Sequence, residues 1–546
     1  MWSRLPKFVA LCFVALFFVA ACGDDAAAPA ALGESCDASG NNACEGDGVC
    51  MDDGDGRDRC FRPAGNACDP EGDNPHCAPD TDCFAVDEDD PDAPEGRCLL
   101  TESGECDPDE PLCAPDLTCA DIEDGTNACH RPVYIEGTVR DSTDESAIEG
   151  AHIIALDERK VAVTDVAVSD EGGEYQLALP VERQADGAPI DSSFTLRADA
   201  ADYQTFPGGL RSALPINTST ASDTDGGWVV SGTPSEIVLI PLPTDQQGQQ
   251  TISGSVLADN GAGVLVVAEG ADTFSAVSDR NGDYTIFNVP AGSFEVHGYA
   301  AGLQLEPEEV TIEDEPLVDV DLSESDDALV DVSGSVSIVD PGDGEATSVI
   351  LVVESTFDEA FARGEVPPGL RAPRTGEPDV TGAWTIEDVP AGTYVVLAAF
   401  ENDFLVRDPD QNIAGTDFVT VTVDPSEGDS EVSIGESFKV TGALGVTGPG
   451  AERPEMVSSA PTLEWEDDSS EDWYSVEVYN AYGDLVWSRD DIDSVSGPST
   501  VTVAYEGPTE SGMYYQFRAT SWRSPGGQSD SPISRTEDLM GVFYFE

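Results

Sequence analysis

Apolar residues take two textures along this 546-residue chain. Phe8 to Ala21 is an unbroken apolar run behind Arg4 and Lys7, whereas from Tyr134 onward β-branched and polar residues alternate between Gly, Pro, Asn and Asp punctuation. A period of two places alternate side chains on one face of a strand, so the second texture predicts sheets. A motif recurs three times within it, Asp-x-x-Gly-x-aromatic-x-aliphatic, at Asp170 to Leu177, Asp279 to Ile286 and Asp379 to Ile386. A Gly-x-Val start precedes each copy, at Gly137, Gly254 and Gly334, and copies two and three continue as Val289-Pro290-Ala291-Gly292 and Val389-Pro390-Ala391-Gly392. The pattern predicts a hairpin: the Asp side chain bonds the backbone of the turn, the Gly takes positive φ, and the aromatic and aliphatic residues share one face of the next strand. Asp170, Asp279 and Asp379 are accordingly read as turn formers.

These motifs resemble the carboxypeptidase regulatory-like family, which implies a transthyretin-like sandwich of about seven strands in each copy. The resemblance covers 133–240, 251–323 and 330–438, with a longer loop from Pro180 to Ser193 in copy one and an insertion from Phe357 to Thr375 in copy three. Pro241 to Gln250 and the acidic Ser323 to Ala328 read as linkers. In 440–546, Trp465, the run Trp473-Tyr474-Ser475-Val476-Glu477-Val478-Tyr479 and the run Tyr514 to Ala519 alternate again. That segment resembles a fibronectin type III domain. The expected fold class is all-β, a tandem of transthyretin-like and fibronectin type III-like sandwiches preceded by a disulfide-rich segment.

Twelve of the fourteen cysteines fall between Cys36 and Cys129, in three copies: Cys36, Cys44, Cys50, Cys60; Cys68, Cys77, Cys83, Cys98; and Cys106, Cys113, Cys119, Cys129. In every copy five residues separate the second and third cysteines, and each copy opens on a glycine, Gly33, Gly65 or Gly104, just before its first cysteine. Units of about 30 residues cannot bury a sufficient core unaided, so two disulfides per copy are expected, in one of three possible connectivities. Structural zinc would need cysteine pairs at C-x2-4-C spacing, which are missing, and His76 and His130 do not replace them. The spacing resembles small secreted four-cysteine modules of the Dickkopf amino-terminal type, which act as binding modules.

The first 21 residues read as an export signal, too short to span a bilayer. Val19-Ala20-Ala21-Cys22 resembles the lipobox of bacterial lipoproteins, which implies lipidation at Cys22, a membrane partner through that lipid, and a linker over 22–35. Gly23 after the anchor points to the outer membrane. Charge agrees with an exported chain that avoids polyanions: 108 acidic against 24 basic residues give −84, which repels nucleic acid and anionic headgroups. Lysine occurs three times only, and salt would screen the self-repulsion, so a saline habitat is one expectation.

Catalytic constellations are missing from the sequence. None of His76, His130, His152 and His297 begins a His-x-x-Glu pair, and no nucleophile elbow, zinc-protease helix, Walker loop or dinucleotide fingerprint occurs. Oxygen-rich stretches at Asp52, Asp53, Asp55 and Asp58, and at Asp279, Asn281 and Asp283, suit Ca2+, but neither completes an EF-hand. Trp465, Trp473, Trp487 and Trp522 are read as core rings before sugar-binding ones. The expectation is a non-enzymatic, lipid-anchored envelope protein of structural, adhesive or binding role, without cofactor or metal, with a protein or polysaccharide ligand. A carbohydrate-binding lipoprotein is the alternative, and an unrecognised hydrolase the remoter one.

Overall fold

The computed structural model describes residues 29–37, 44–70, 76–85, 96–108, 111–157, 161–258, 260–339, 347–359, 363–374, 380–398, 418–425, 430–434, 438–441, 443–468, 471–495, 500–524, 529–536 and 540–545. The export signal, Cys22 and Asp379 lie outside them. The chain divides into two compact units, Met1–Ala120 with Gly125–His130, and Asp121–Asp124 with Arg131–Glu546.

The first unit is a run of three cystine modules, each ending in a short hairpin such as Val49–Asp52 against Asp58–Phe61 or Thr81–Ala85 against Gly96–Leu100. Connectivity is the same in every module, first cysteine to third and second to fourth: Cys36–Cys50 and Cys44–Cys60, Cys68–Cys83 and Cys77–Cys98, Cys106–Cys119 and Cys113–Cys129. Each module is also entered in the same way. The residue six places before its first cysteine makes a parallel bridge to its second: Ala30 to Cys44, Arg62 to Cys77, Leu100 to Cys113. Because Arg62 directly follows the closing strand of the first module and Leu100 ends that of the second, the chain passes into the next module without a spacer. The described part of 22–35, expected as a linker, is built into the first module by the same device, with Ala30 buried and Leu32 packed on the cystines.

The glycine that opens each copy has a structural reason, and the reason corrects one assignment. Three residues before the first cysteine the backbone is left-handed, with φ of +81° at Gly33 and +82° at Gly65, and its N–H donates to the carbonyl of the fourth cysteine. In the third module that position is Ser103, φ +69°, whose N–H donates to Cys129. Ser103, rather than Gly104, is therefore the counterpart of the two glycines.

The second unit holds four two-layer β-sandwiches, each with its own apolar core. The first three share a plan. The opening strand (Val133–Asp141, Gln250–Leu257, Val330–Val339) runs antiparallel to the motif strand (Glu174–Leu179, Asp283–Val289, Ala383–Val389) and parallel to a closing strand (Glu236–Leu239, Leu322–Ser323, Phe438–Thr441). A second sheet of four strands faces it, centred on His152–Leu156, Leu265–Glu269 and Val349–Val353. The terminal sandwich pairs a three-stranded sheet around Thr462–Glu466 with a six-stranded one around Tyr514–Arg523.

Register explains the recurrent glycine and aromatic. Gly137 lies opposite Tyr175, Gly254 opposite Tyr284 and Gly334 opposite Trp384. The aromatic ring crosses over its glycine, and in copies one and two its hydroxyl donates to the returning chain, at the Ser235 carbonyl (2.7 Å) and the Val320 carbonyl (2.5 Å). A methyl group at Gly137 or Gly254 would run into that carbonyl, and one at Gly334 would meet the indole of Trp384 at 2.5 Å. The turn aspartates act as the spacing predicted: Asp170 Oδ1 accepts from the N–H of Gly172 and Glu174, Asp279 Oδ1 from those of Asn281 and Asp283.

The central strands of the second sheets are apolar at consecutive positions, and both of their faces are covered. Leu265 and Val267 join the core of the third sandwich while Val266 and Ala268 face their own. The insertion in copy three folds across its own sheet, where Phe357 and Val366 cover Ile350, Val352, Val395 and Leu397. The 241–250 segment is held on both sides: Leu242 N–H donates to the Asp202 carbonyl, and Tyr482 Oη to the Pro241 carbonyl. These contacts join the four sandwiches into one interlocked body.

Candidate functional site

A buried ion pair of the second unit, Arg197 with Asp199, lies where the strand Ser193–Asp199 meets the second and third sandwiches. Leu196 and Ala198 point into the first sandwich's own core, so Arg197 between them lies on the outer face of that sheet, where the neighbouring sandwiches leave it 4% exposed. Its Nε donates to Asp199 Oδ2 (3.0 Å), its Nη1 to Glu365 Oε1 (3.0 Å), and its Nη2 to the carbonyl and hydroxyl oxygens of Ser275 (3.4 and 3.3 Å). Ser275 Oγ donates in turn to Glu365 Oε1 at 2.8 Å. One guanidinium thus ties three sandwiches, with Glu365 delivered by the copy-three insertion. Burial disfavours its charge, but Asp199 and Glu365 outweigh that penalty and hold it protonated above the ordinary arginine range.

Two clefts flank this pair. One, of about 340 Å³, runs past Leu196, Arg197, Arg363 and Tyr482; the other, about 540 Å³, past Tyr203, Phe274 and Asn288, and both border Glu365 and the Pro207–Gly209 loop. Much of their polar lining is engaged, although Gln204 Oε1 is buried without a partner among the described residues. Arg363 Nη1 donates to the Gly209 carbonyl (3.1 Å), Gln204 Nε2 to the Ala481 carbonyl (2.8 Å), and Asn288 Nδ2 to the carbonyls of Ala200 and Tyr203. Tyr203 Oη donates to Asp141, and burial followed by that carboxylate raises its phenol to about 12. His152 packs edge-on to Phe287 at 4.9 Å; burial lowers its pKa, against the pull of Asp199. Chemically the arrangement fastens sandwiches together: the donors and acceptors here meet one another across domain boundaries.

The residues singled out in the sequence occupy other places. The twelve cysteines form the six bridges, and although three sulfurs of each module lie within 4.8 Å of one another, each is covalently bonded to a partner sulfur. Asp52 and Asp53 are occupied by their own turn. Asp52 Oδ1 accepts from the N–H of Gly54 and Gly56, and Asp53 from those of Asp55 and Arg57 and from the Arg59 guanidinium. Trp465 is fully buried against Tyr474 and Phe517. Trp473 and Trp522 are half-buried and stacked on each other at 5.1 Å and 4°, and Trp487 packs edge-on to Tyr505. The junction around Arg197 escaped the sequence reading. Its one legible trace was the run of consecutive apolar residues in the central second-sheet strands, a sign that both faces are covered.

No family model and no curated protein matches the chain. Among solved structures, the Bacillus anthracis TIE protein aligns over 72% of this chain and 68% of its own, at 11% identity and a TM-score of 0.13. BcpA, the major pilin subunit of Bacillus cereus, aligns over 57% and 100% at 10% identity and 0.15. GBS52, the minor pilin of Streptococcus agalactiae, aligns over 37% and 99% at 14% identity and 0.15.

Proposed function

We propose that this chain is a lipid-anchored cell-envelope protein of the bacterial outer membrane, with a structural, adhesive or binding role and no catalytic one. The observation that carries the reading is the state of the polar groups at the clefts: Arg197, braced by Asp199, reaches Glu365 and Ser275, and Gln204 reaches Ala481, so that they hold sandwiches to one another. A scaffold needs such fasteners, whereas a catalytic site keeps its charged groups facing a substrate. The compartment follows from chemistry. Six disulfides form and persist where thiols are oxidised, and the Val19-Ala20-Ala21-Cys22 run supplies the anchor. The first three sandwiches are read as transthyretin-like, from the opening strand flanked by an antiparallel motif strand and a parallel closing strand; the terminal one is read as fibronectin type III-like.

Growth with an alkyne-bearing fatty acid tests the anchor. The wild-type chain is expected to carry the label and fractionate with the outer membrane, and Cys22→Ser to lose both; a labelled Cys22→Ser chain, or an unlabelled soluble wild type, overturns the reading. The carbohydrate-binding alternative rests on Trp473 and Trp522. Their mutual stacking occupies one face of each ring, with Trp473 Nε1 donating to Ser524 and Trp522 Nε1 to Ser475, so a sugar would have the outer face of one ring alone. Retention on polysaccharide columns that Trp473→Ala abolishes would favour it.

A further inference from the structure

Three of the nine well-exposed large apolar side chains among the described residues line a single groove: Leu214 (43% exposed), Val238 (36%) and Met456 (55%). It measures about 730 Å³ and lies between the first and terminal sandwiches. The stacked rings of Tyr514 and Tyr544, 4.6 Å apart, form one wall. Clustering of this kind on a chain of −84 is unlike scattered surface leucines, which need no explanation.

Two sheet edges reach the groove, and they differ. The Glu236–Leu239 strand would offer its free edge, but Arg211 closes it, donating through Nη1 to the Val238 carbonyl and through Nη2 to that of Thr205 while its guanidinium lies 5.3 Å over the Phe206 ring. The Glu455–Val457 strand stands at the end of the six-stranded sheet and pairs with Val542–Phe545 alone. Among the described residues its other edge carries no strand, and Met456 on this strand is exposed. Exposed Glu236, Glu452 and Glu455 face one exposed cation, Arg453.

We propose that this groove docks an extended segment of a protein partner, alternating apolar and basic residues, which adds a strand to the free edge of Glu455–Val457. Main-chain hydrogen bonds would hold such a segment, apolar side chains would enter between Leu214 and Met456, and its cations would meet the carboxylates and the tyrosine faces. A second copy of this chain is the poorer occupant, because two bodies of this charge repel at short range. The proposal deepens the binding role above, and the two fail separately, since the fatty-acid label reports the anchor whatever binds here.

The test uses the full chain and two fluorescent peptides of about eight residues, one alternating Val and Lys, the other Val and Glu. Anisotropy is expected to rise with the Lys peptide only. Met456→Glu and Leu214→Ser should weaken it about tenfold or more; both side chains are exposed, so an unchanged melting curve accompanies the loss. Met456→Glu is the sharper variant, because attraction to a diffuse acidic surface would strengthen with the added charge. Equal binding of both peptides, unaltered or tighter binding by Met456→Glu, or self-association that Met456→Glu abolishes would each overturn the assignment.

Discussion

Gly254→Ala should unseat the closing strand of the second sandwich, and Gly334→Ala, the same change at the same place in the third, should be repairable. At Gly254 the new methyl would be driven into the backbone of Val320, its carbonyl first. Carbon and oxygen settle at about 3.3–3.6 Å even when weakly attracted, and the methyl would stand 1.8 Å from that oxygen, so the closing chain must retreat by about 1.5 Å or more. Four hydrogen bonds span that gap: Tyr284 Oη to Val320 O (2.5 Å), Val320 N to Ser253 O (3.1 Å), Ser253 N to Leu317 O (2.9 Å) and Ser255 N to Asp321 Oδ1 (3.0 Å). At about 1 kcal/mol each the loss is about 4 kcal/mol, before any lost packing of Val320 and Leu322. At Gly334 the obstacle among the described residues is the indole of Trp384, a side chain. Trp384→Phe should therefore recover most of the stability lost in Gly334→Ala, whereas Tyr284→Phe should recover little in Gly254→Ala. Because the unit contains several cores, amide hydrogen exchange resolved to Gln250–Leu257 and Val330–Val339 is the appropriate assay. Native-like protection in Gly254→Ala, or rescue of it by Tyr284→Phe, would refute the argument from register.

Arg197→Met should destabilise the junction by about 3 kcal/mol or more, because Asp199 and Glu365 are left charged and unpaired. Proteolysis between the first and third sandwiches should accelerate, and adding Glu365→Gln should restore part of the resistance; an intact digestion pattern in the single variant would sink the idea. His152 has a pKa below its ordinary 6.5 through burial, so the unfolded chain takes up its proton first as the pH falls. Its contribution to stability is complete above 6.5 and declines below it, and a urea midpoint that falls between about pH 7.5 and about pH 5.5 should fall less in His152→Gln. Ser103→Gly removes a left-handed strain of about 1 kcal/mol, partly offset by the added freedom of the unfolded chain, and should raise the third module's protection against exchange slightly; Gly104→Ala, at an ordinary backbone position tight against Leu100, should not raise it.

What the sequence disclosed, and what it withheld, divide along a physical line. The Asp-x-x-Gly-x-aromatic turn is a local device, and its parts lie close enough in sequence that spacing alone predicts it; Asp279 bonding the amides two and four residues on is contained in that stretch. The cysteine triplicate was visible for the same reason, and only its connectivity needed three dimensions. Arg197 belongs to the opposite class. Its partners are Asp199, two residues on, Ser275, 78 residues on, and Glu365, 168 residues on, in three different sandwiches. No repeat period relates those positions, since Glu365 sits in an insertion that copies one and two lack. Repetition reveals what each sandwich shares with its siblings and hides what differs, and the contacts that lock unlike surfaces together must lie in the differences. Continuous apolar runs from Leu265 to Ala268 and over Val349–Val353 were the one general sign: a strand with one wet face alternates, and these do not. Three sandwiches strung on linkers would each have kept a wet outer face, and five consecutive apolar residues at Val349–Val353 are what a sheet covered on both faces requires.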